Sequence, residues 1–259
     1  MNAAQIALLL GAGFAAGAVN AVAGGGSLVT FPALLSTGLS QIAANVTNSV
    51  AVSPGYVASV YGSRTDLTEI TATRGRGMLL KLAPTTVIGA VAGCVLLRVT
   101  PPAAFKWIVP FLVLGAALVL AFQDRLRSVV GHPRDLTPRG RTVALHVTVG
   151  LGAIYGGYFG AALGVMLVSS LGLVIDETLK RINALKNAIS AVVGLVTVVA
   201  FALYFPVDWA DVALLAPATM VGGYLGARLA RRLPPLVLRA VIVTLGLVVG
   251  VVLLIKALT

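Results

Sequence analysis

Residues 23–39 read AGGGSLVTFPALLSTGL. Three glycines lead into an apolar run that is too short for its surroundings. Residues 26–39 make 14 residues, about 21 Å of helix at 1.5 Å per residue. The hydrocarbon core of a bilayer is about 30 Å thick. The segment has a counterpart in ALGVMLVSSLGLVI, residues 162–175, which overlaps a second glycine-rich break, GGYFGAALG at 156–164. Glycine-interrupted apolar helices occur inside membranes where the backbone lines a cavity rather than lipid.

The sequence around these two segments is long and apolar. Runs at 3–23, 40–62, 78–98, 104–122, 142–159, 183–205, 211–230 and 236–258 each approach the span of a bilayer. The 259 residues are 58% hydrophobic and only 10% charged, where a soluble domain is about 25% charged. That composition weighs against a soluble enzyme, a disordered chain or a nucleic-acid partner. The net charge of +11 sits in gaps between apolar runs, where Lys and Arg report membrane orientation. The single cysteine, Cys94, and two histidines offer no disulfide and no metal site. No cofactor motif is present. The first run lacks a basic leader and is read as a membrane helix rather than a cleaved signal.

The chain repeats itself. At an offset of 139, Gly17 matches Gly156, Gly25 matches Gly164, Asn48 matches Asn187 and Gly55 matches Gly194. At an offset of 133, LAPTTVIGAVAGCVLLRVTPPAAFK (82–106) matches LAPATMVGGYLGARLARRLPPLVLR (215–239). Each half runs long, short, long, long, long. The expected fold is all-α and polytopic: two inverted repeats of five segments, eight full transmembrane helices plus two short glycine-interrupted ones. Residues 1–122 form the first repeat, 123–141 a basic cytoplasmic linker and 142–259 the second repeat.

Charge selects the topology. If the short segments leave their flanks on one side, Lys and Arg divide 10 to 9. If each short segment changes sides, they divide 16 to 3, which fits the positive-inside rule. An odd number of crossings per half also makes the halves inverted, as in many transporters. Both termini are then outside, and the basic loops at 63–77 and 123–141 are cytoplasmic. The cytoplasmic set includes Arg64, Lys81, Arg141 and Lys180. The arginines of 123–141 also suit anionic lipid.

All eight acids, among them Asp66, Glu69, Asp208 and Asp211, are read as lying in loops or turns. The absence of a mid-span carboxylate weighs against carboxylate-based ion coupling and against acid/base catalysis. Uncharged donors cluster instead around the short segments. Asn20, Ser27, Asn45, Thr47 and Asn48 lie in the first half, and Asn183, Asn187 and Ser190 in the second. A helix N-terminus inside a membrane suits an anion. Ser27 is placed to cap a helix over 28–38, and Gly24, Gly25 and Gly26 permit close backbone approach. For Asn48 and Asn187, substrate contact and interhelical bonding weigh evenly. Lys186 either snorkels to the interface, the favoured reading, or attracts an anion. Gly11, Gly13, Gly17, Gly89, Gly93, Gly222 and Gly226 are expected to serve helix packing.

The pattern in 13–55, GxxxGxxNAVAGGGSLVTFPALLSTGLSQIAANVTNSVAVSPG, resembles the first repeat of the sulfite exporter TauE/SafE family, also called the toluene sulfonate uptake permease family. RINALKNAIS at 181–190 resembles the matching part of the second repeat. The resemblance covers nearly the whole chain. It implies transport of small sulfur-containing or organic anions across a bacterial inner membrane. The motif positions it carries over are Asn20, Gly24, Gly25, Gly26, Ser27, Pro32, Asn45, Thr47 and Asn48, with Asn187 from the second half. The expected protein is a secondary transporter exporting sulfite, sulfonates or sulfoacetate-like anions from a midplane site. An anion channel or an importer of organic anions with the same architecture is the alternative. A homodimer is compatible with the glycine-rich helix faces.

Overall fold

A computed structural model of the chain describes residues 1–22, 24–74, 77–122, 125, 137–161, 163–229 and 235–258. Every regular element among them is a helix. They are α1 (Ala3–Val22), α2 (Ser27–Ser36), α3 (Gln41–Gly62), α4 (Arg64–Arg74), α5 (Met78–Val99) and α6 (Pro102–Ala121). After the linker come α7 (Pro138–Tyr158), α8 (Leu163–Val174), α9 (Leu179–Tyr204), α10 (Trp209–Leu229) and α11 (Pro235–Leu258). Among the described residues, four stretches are long and apolar enough to cross a membrane by length and composition: Ala3–Ala21, Met78–Val99, Pro102–Val119 and Lys180–Tyr204. The short helices are shorter than their apolar runs, at 10 residues for α2 and 12 for α8.

Large apolar side chains cover the outer faces of the long helices. Ile88, Val95, Phe111, Leu151, Val199 and Val251 are all exposed. Contiguous apolar surface on this scale marks contact with lipid or another protein rather than water. The short helices occupy the opposite environment. In α2, Leu28, Phe31 and Leu34 are buried in a cluster with Phe105 and Phe159. The rings of Phe31 and Phe159 meet edge-on at 5.4 Å. In α8, Leu163, Leu167 and Leu171 are buried with Leu82, Ile182 and Ile189. Each short helix is therefore enclosed by protein, which is where a broken helix keeps its end groups satisfied.

Glycines set the closest approaches. Gly17 lies against Thr219 and Gly223, Gly222 against Phe14, and Gly226 against Ala18. These contacts seat α1 on α10. Gly89 lies against Gly150 and Ala153, and Gly93 against Ile154 and Gly157, which seats α5 on α7 in the same way. A Cβ at Gly89 would come within 2.8 Å of the Gly150 carbonyl oxygen. The two interfaces correspond residue by residue. Gly89 and Gly222 differ by 133, and their neighbours Ala153 and Phe14 by 139. Gly93 and Gly226, with Gly157 and Ala18, repeat the relation. The helices of each half are thus packed mainly on the other half, with α3 against α10 and α9 and α6 against α11. Gly11, grouped with the packing glycines by sequence, has open space where its side chain would be.

Residues 63–77, read from sequence as a basic loop, contain a helix. Leu67 and Ile70 recur at the spacing of one helix face, Asp66 favours the first turn, and Ile70 is fully buried. Arg181 at the start of α9 holds Glu69 at 3.1 Å and Glu177 at 3.0 Å. Most of the 123–141 linker, including His132, lies outside the described residues, and α7 begins within it at Pro138.

Candidate functional site

The two glycine-rich breaks meet. Gly24 has φ +87°, a conformation that side chains with a Cβ rarely adopt. A Cβ on Gly24 would stand 2.5 Å from the Gly164 Cα, so neither position has room for a side chain. Gly160 in the second break is also left-handed, at φ +71°. The offset that pairs Gly25 with Gly164 in sequence therefore ends in direct contact one residue away, at Gly24.

The end of α1 is held by side chains from α9. Helices leave their last carbonyls without intrahelical partners. Lys186 Nζ donates to the Asn20 carbonyl at 2.8 Å, and Asn183 Nδ2 donates to the Ala21 carbonyl at 2.9 Å. A cation is favoured at this negative end of the helix. Asn20 Oδ1 in turn accepts from the Gly26 N–H at 2.8 Å, tying the break to the helix before it. The second half repeats the device, as Asn45 Nδ2 of α3 donates to the Tyr158 carbonyl at the end of α7, at 3.0 Å.

Two expectations are corrected here. Lys186 does not snorkel: it is fully buried and faces the break. Because α9 starts at Leu179, Lys186 lies two turns inside the helix, too deep to reach its end. Ser27 does not cap α2. The cap position is Gly26, which has no side chain to cap the helix, and Ser27 is already helical.

Ser27 instead lines a small cavity whose walls are mostly apolar, with Val52, Leu163 and Val193 among them. Ser49, Ser53 and Tyr56 of α3 join it, with Gly156 and Gly160 from the second break and Thr197 from α9. The cavity holds about 10 Å³, close to the minimum for a single water molecule. Its hydroxyls rest on helix carbonyls: Ser49 donates to the Asn45 carbonyl at 2.9 Å, Ser53 to Ser49 at 2.7 Å and Thr197 to Gly194 at 2.9 Å. Those carbonyls are also acceptors in their helices. A hydroxyl can therefore turn to a ligand without stripping the carbonyl of its only partner.

Other sequence candidates lie on either side of the cavity. Toward the start of α3, Thr30 of α2 donates to Asn48 Oδ1, and Thr47 Oγ1 accepts the Asp208 N–H at 3.0 Å. Toward the end of α3, Asn187 Nδ2 donates to Ser63 Oγ at 3.2 Å. Ser63 follows Asn48 by fifteen positions, about 22 Å of helix at 1.5 Å per residue. Asn48, in the first half of α3, and Asn187, at its C-terminal end, are paired by the repeat but thus stand well apart. The structure brings Asn20, the Gly24–Gly26 run and Lys186 together, and places Ser27 on the adjoining cavity.

Among the described residues, Asn45 Oδ1, Asn187 Oδ1 and Ser190 Oγ are buried and meet no hydrogen-bond partner. Reading the acids as loop or turn residues missed Asp211, which is buried in the first turn of α10 with Thr37 Oγ1 at 3.3 Å. Asp66 and Glu69 lie in α4. Tyr56, Gly160 and Thr197 also went unselected. Only the meeting of α3, α9 and the second break gathers them, and the sequence holds no local sign of it. Among the described residues, no group of His, Cys, Asp and Glu is arranged to hold a metal ion.

A family model described as Sulfite exporter TauE/SafE matches residues 9–253. The chain is 29% identical over 228 residues to "Probable membrane transporter protein YfcA" of Escherichia coli strain K12, covering 84% of this chain and 76% of that protein. It is 27% identical over 225 residues to a "Probable membrane transporter protein" of Haemophilus influenzae, covering 86% and 84%. It is 32% identical over 162 residues to "Probable membrane transporter protein ORF9" of a Sinorhizobium species, covering 61% and 58%. No solved structure matches it.

Proposed function

The chain belongs to the sulfite exporter TauE/SafE family, and from that membership we propose that it carries small sulfur-containing anions, such as sulfite, sulfonates or sulfoacetate-like compounds, out across the inner membrane. It is a multi-pass membrane transporter. On our reading, each short helix changes sides with the long ones, so that each half crosses five times and the halves are inverted. Both termini are outside and the basic 63–77 and 123–141 segments are cytoplasmic. No covalent chemistry is assigned to any residue.

The observation that carries the site is the small hydroxyl-bearing cavity beside the two breaks. Ser27, Ser49, Ser53 and Thr197 supply hydroxyls there, and Lys186 supplies one positive charge at the neighbouring helix end. We assign anion contact to Asn20, Gly24, Gly25, Gly26 and Ser27, with Lys186 as the attracting charge. An oxyanion entering between the breaks would compete with the Asn20 carbonyl for the ammonium.

Asn45, Thr47 and Asn48 form the polar contacts on one side of the cavity, and Asn187 with Ser63 those on the other. Each set makes bonds between the halves or between short and long helices. Opening one set while the other stays closed gives alternating access. A cavity of about 10 Å³ admits little beyond one water. That closed form favours a carrier that opens by turns over a standing channel. A membrane potential that is negative inside favours anion exit by about 2.3 kcal/mol per charge per 100 mV, so export needs no ion-coupling carboxylate.

Transport in proteoliposomes tests this reading, with sulfite, sulfate, thiosulfate, sulfoacetate and an aryl sulfonate as the panel. Ser27→Ala, Asn48→Ala and Asn187→Ala are each expected to slow at least one anion by about tenfold, the effect of roughly 1.4 kcal/mol. Wild-type rates for every anion in all three variants would overturn the site. Net import against the potential without a coupling ion would overturn the direction, and unitary currents would favour a channel.

A further inference from the structure

A cleft of about 500 Å³ opens between the first turns of α5 and α7, well away from the crossed breaks. Lys81 of α5 and Arg141 and His146 of α7 line it, over an apolar floor that includes Met78, Leu82 and Leu145. Glu177 also reaches it. That carboxylate is held at 3.0 Å by Arg181, which shares its single charge with Glu69. His146 Nδ1 lies 2.9 Å from the Thr142 carbonyl oxygen, which leaves Nε2 as the ring's other polar atom. Lys81 and Arg141 sit in the first turns of helices 22 and 21 residues long, with His146 two turns in; the first turn is the depth at which lipid headgroups meet a membrane-spanning helix.

The internal repeat supplies a comparison within the same chain. At the repeat offsets, Lys81 corresponds to Leu214, Arg141 to Asn2, His146 to Ala7 and Glu177 to Gly38. The second copy of the helix pair therefore packs without these cations. The helix pairing does not require the charge here.

We propose that this cleft binds the phosphodiester headgroup of an anionic phospholipid, with the start of an acyl chain on its apolar floor. A basic pocket between membrane helices at the interface suits such a headgroup. The Arg141 guanidinium matches phosphate oxygens in a two-pronged arrangement, and Lys81 adds a compact charge on the opposite wall. Free phosphate would meet the same cations but leave the floor uncovered. The assignment rests on the membrane-spanning reading of α5 and α7 and is independent of the cargo and of the anion site.

The test uses the full-length protein in nanodiscs of phosphatidylcholine with graded phosphatidylglycerol, and reads retained lipid by native mass spectrometry. Replacing Lys81→Leu together with Arg141→Asn installs the residues of the second copy. We expect phosphatidylglycerol affinity to fall about fivefold for each cation removed, with phosphatidylcholine retention unchanged and Lys81→Arg like wild type. If the double variant is not monodisperse, Lys81→Gln is read instead, with an expected loss of about fivefold. Equal phosphatidylglycerol retention in the wild type and the variant read would overturn the proposal. So would protection from thermal unfolding by inorganic phosphate equal to that by phosphatidylglycerol. Because lipid retention is measured without transport, failure of the anion site leaves this result standing, and the reverse also holds.

Discussion

Lys186 shows how one side chain joins the fold to its function. It is fully buried, and its ammonium is bonded to the carbonyl of Asn20 at the end of α1. The residue type and its place beside Asn187 are legible in the sequence. The direction it faces is not, because its acceptor is 166 positions away. Lys186→Met is expected to slow anion transport at least about tenfold, since a hydrogen bond to a charged group is worth roughly 1.5–3 kcal/mol. Flux in proteoliposomes at matched protein density would check this, and an unchanged rate would reduce Lys186 to a helix-end contact. Gly24 makes a separate prediction. Gly24→Ala adds a methyl 2.5 Å from Gly164 in a left-handed position, and should destabilise the protein by about 1–3 kcal/mol. Thermal unfolding in detergent would read it. The glycine run is plain in the sequence, but its crossing partner is not.

The elements were unequally visible. Long apolar helices announce themselves by composition, and α1, α5, α6 and α9 fall where the apolar runs lie. The short α2 and α8 are marked by the glycine breaks before them. Helix α4 escaped because 11 residues of mixed polarity carry little local signal. It is held by the burial of Ile70 and by the Glu69–Arg181 pair, both of which depend on distant parts of the chain. The glycine seams make the prediction at this scale. Gly93→Val is expected to part α5 from α7, because its side chain would enter the backbone around Ile154 and Gly157. Gly11→Val should be nearly silent, because nothing lies within 4 Å of the added carbon. Comparing the two by size-exclusion profile and melting temperature separates packing glycines from incidental ones. Equal behaviour would refute the seam.

The whole molecule is organised by exchange between halves. The seam of α1 with α10 recurs as that of α5 with α7, so neither half completes its own core. The two offsets, 139 and 133, differ because the stretch that carries α4 in the first half is about six residues longer than its counterpart in the second. Single cysteines at His132 and Asp208, in a Cys94→Ala background, test the proposed topology. His132 should react only from the cytoplasmic side and Asp208 only from the outside, and the reverse pattern would overturn it. The sequence by itself determined a helical membrane protein, its internal repeat and its glycine breaks, because these follow from local composition and spacing. Tertiary structure alone decided that Gly24 meets Gly164, that Lys186 turns inward, that Ser27 lines a cavity and that Asn48 and Asn187 lie far apart. Those facts depend on which surfaces meet between the halves, and one segment's pattern records that it must be buried without recording against what.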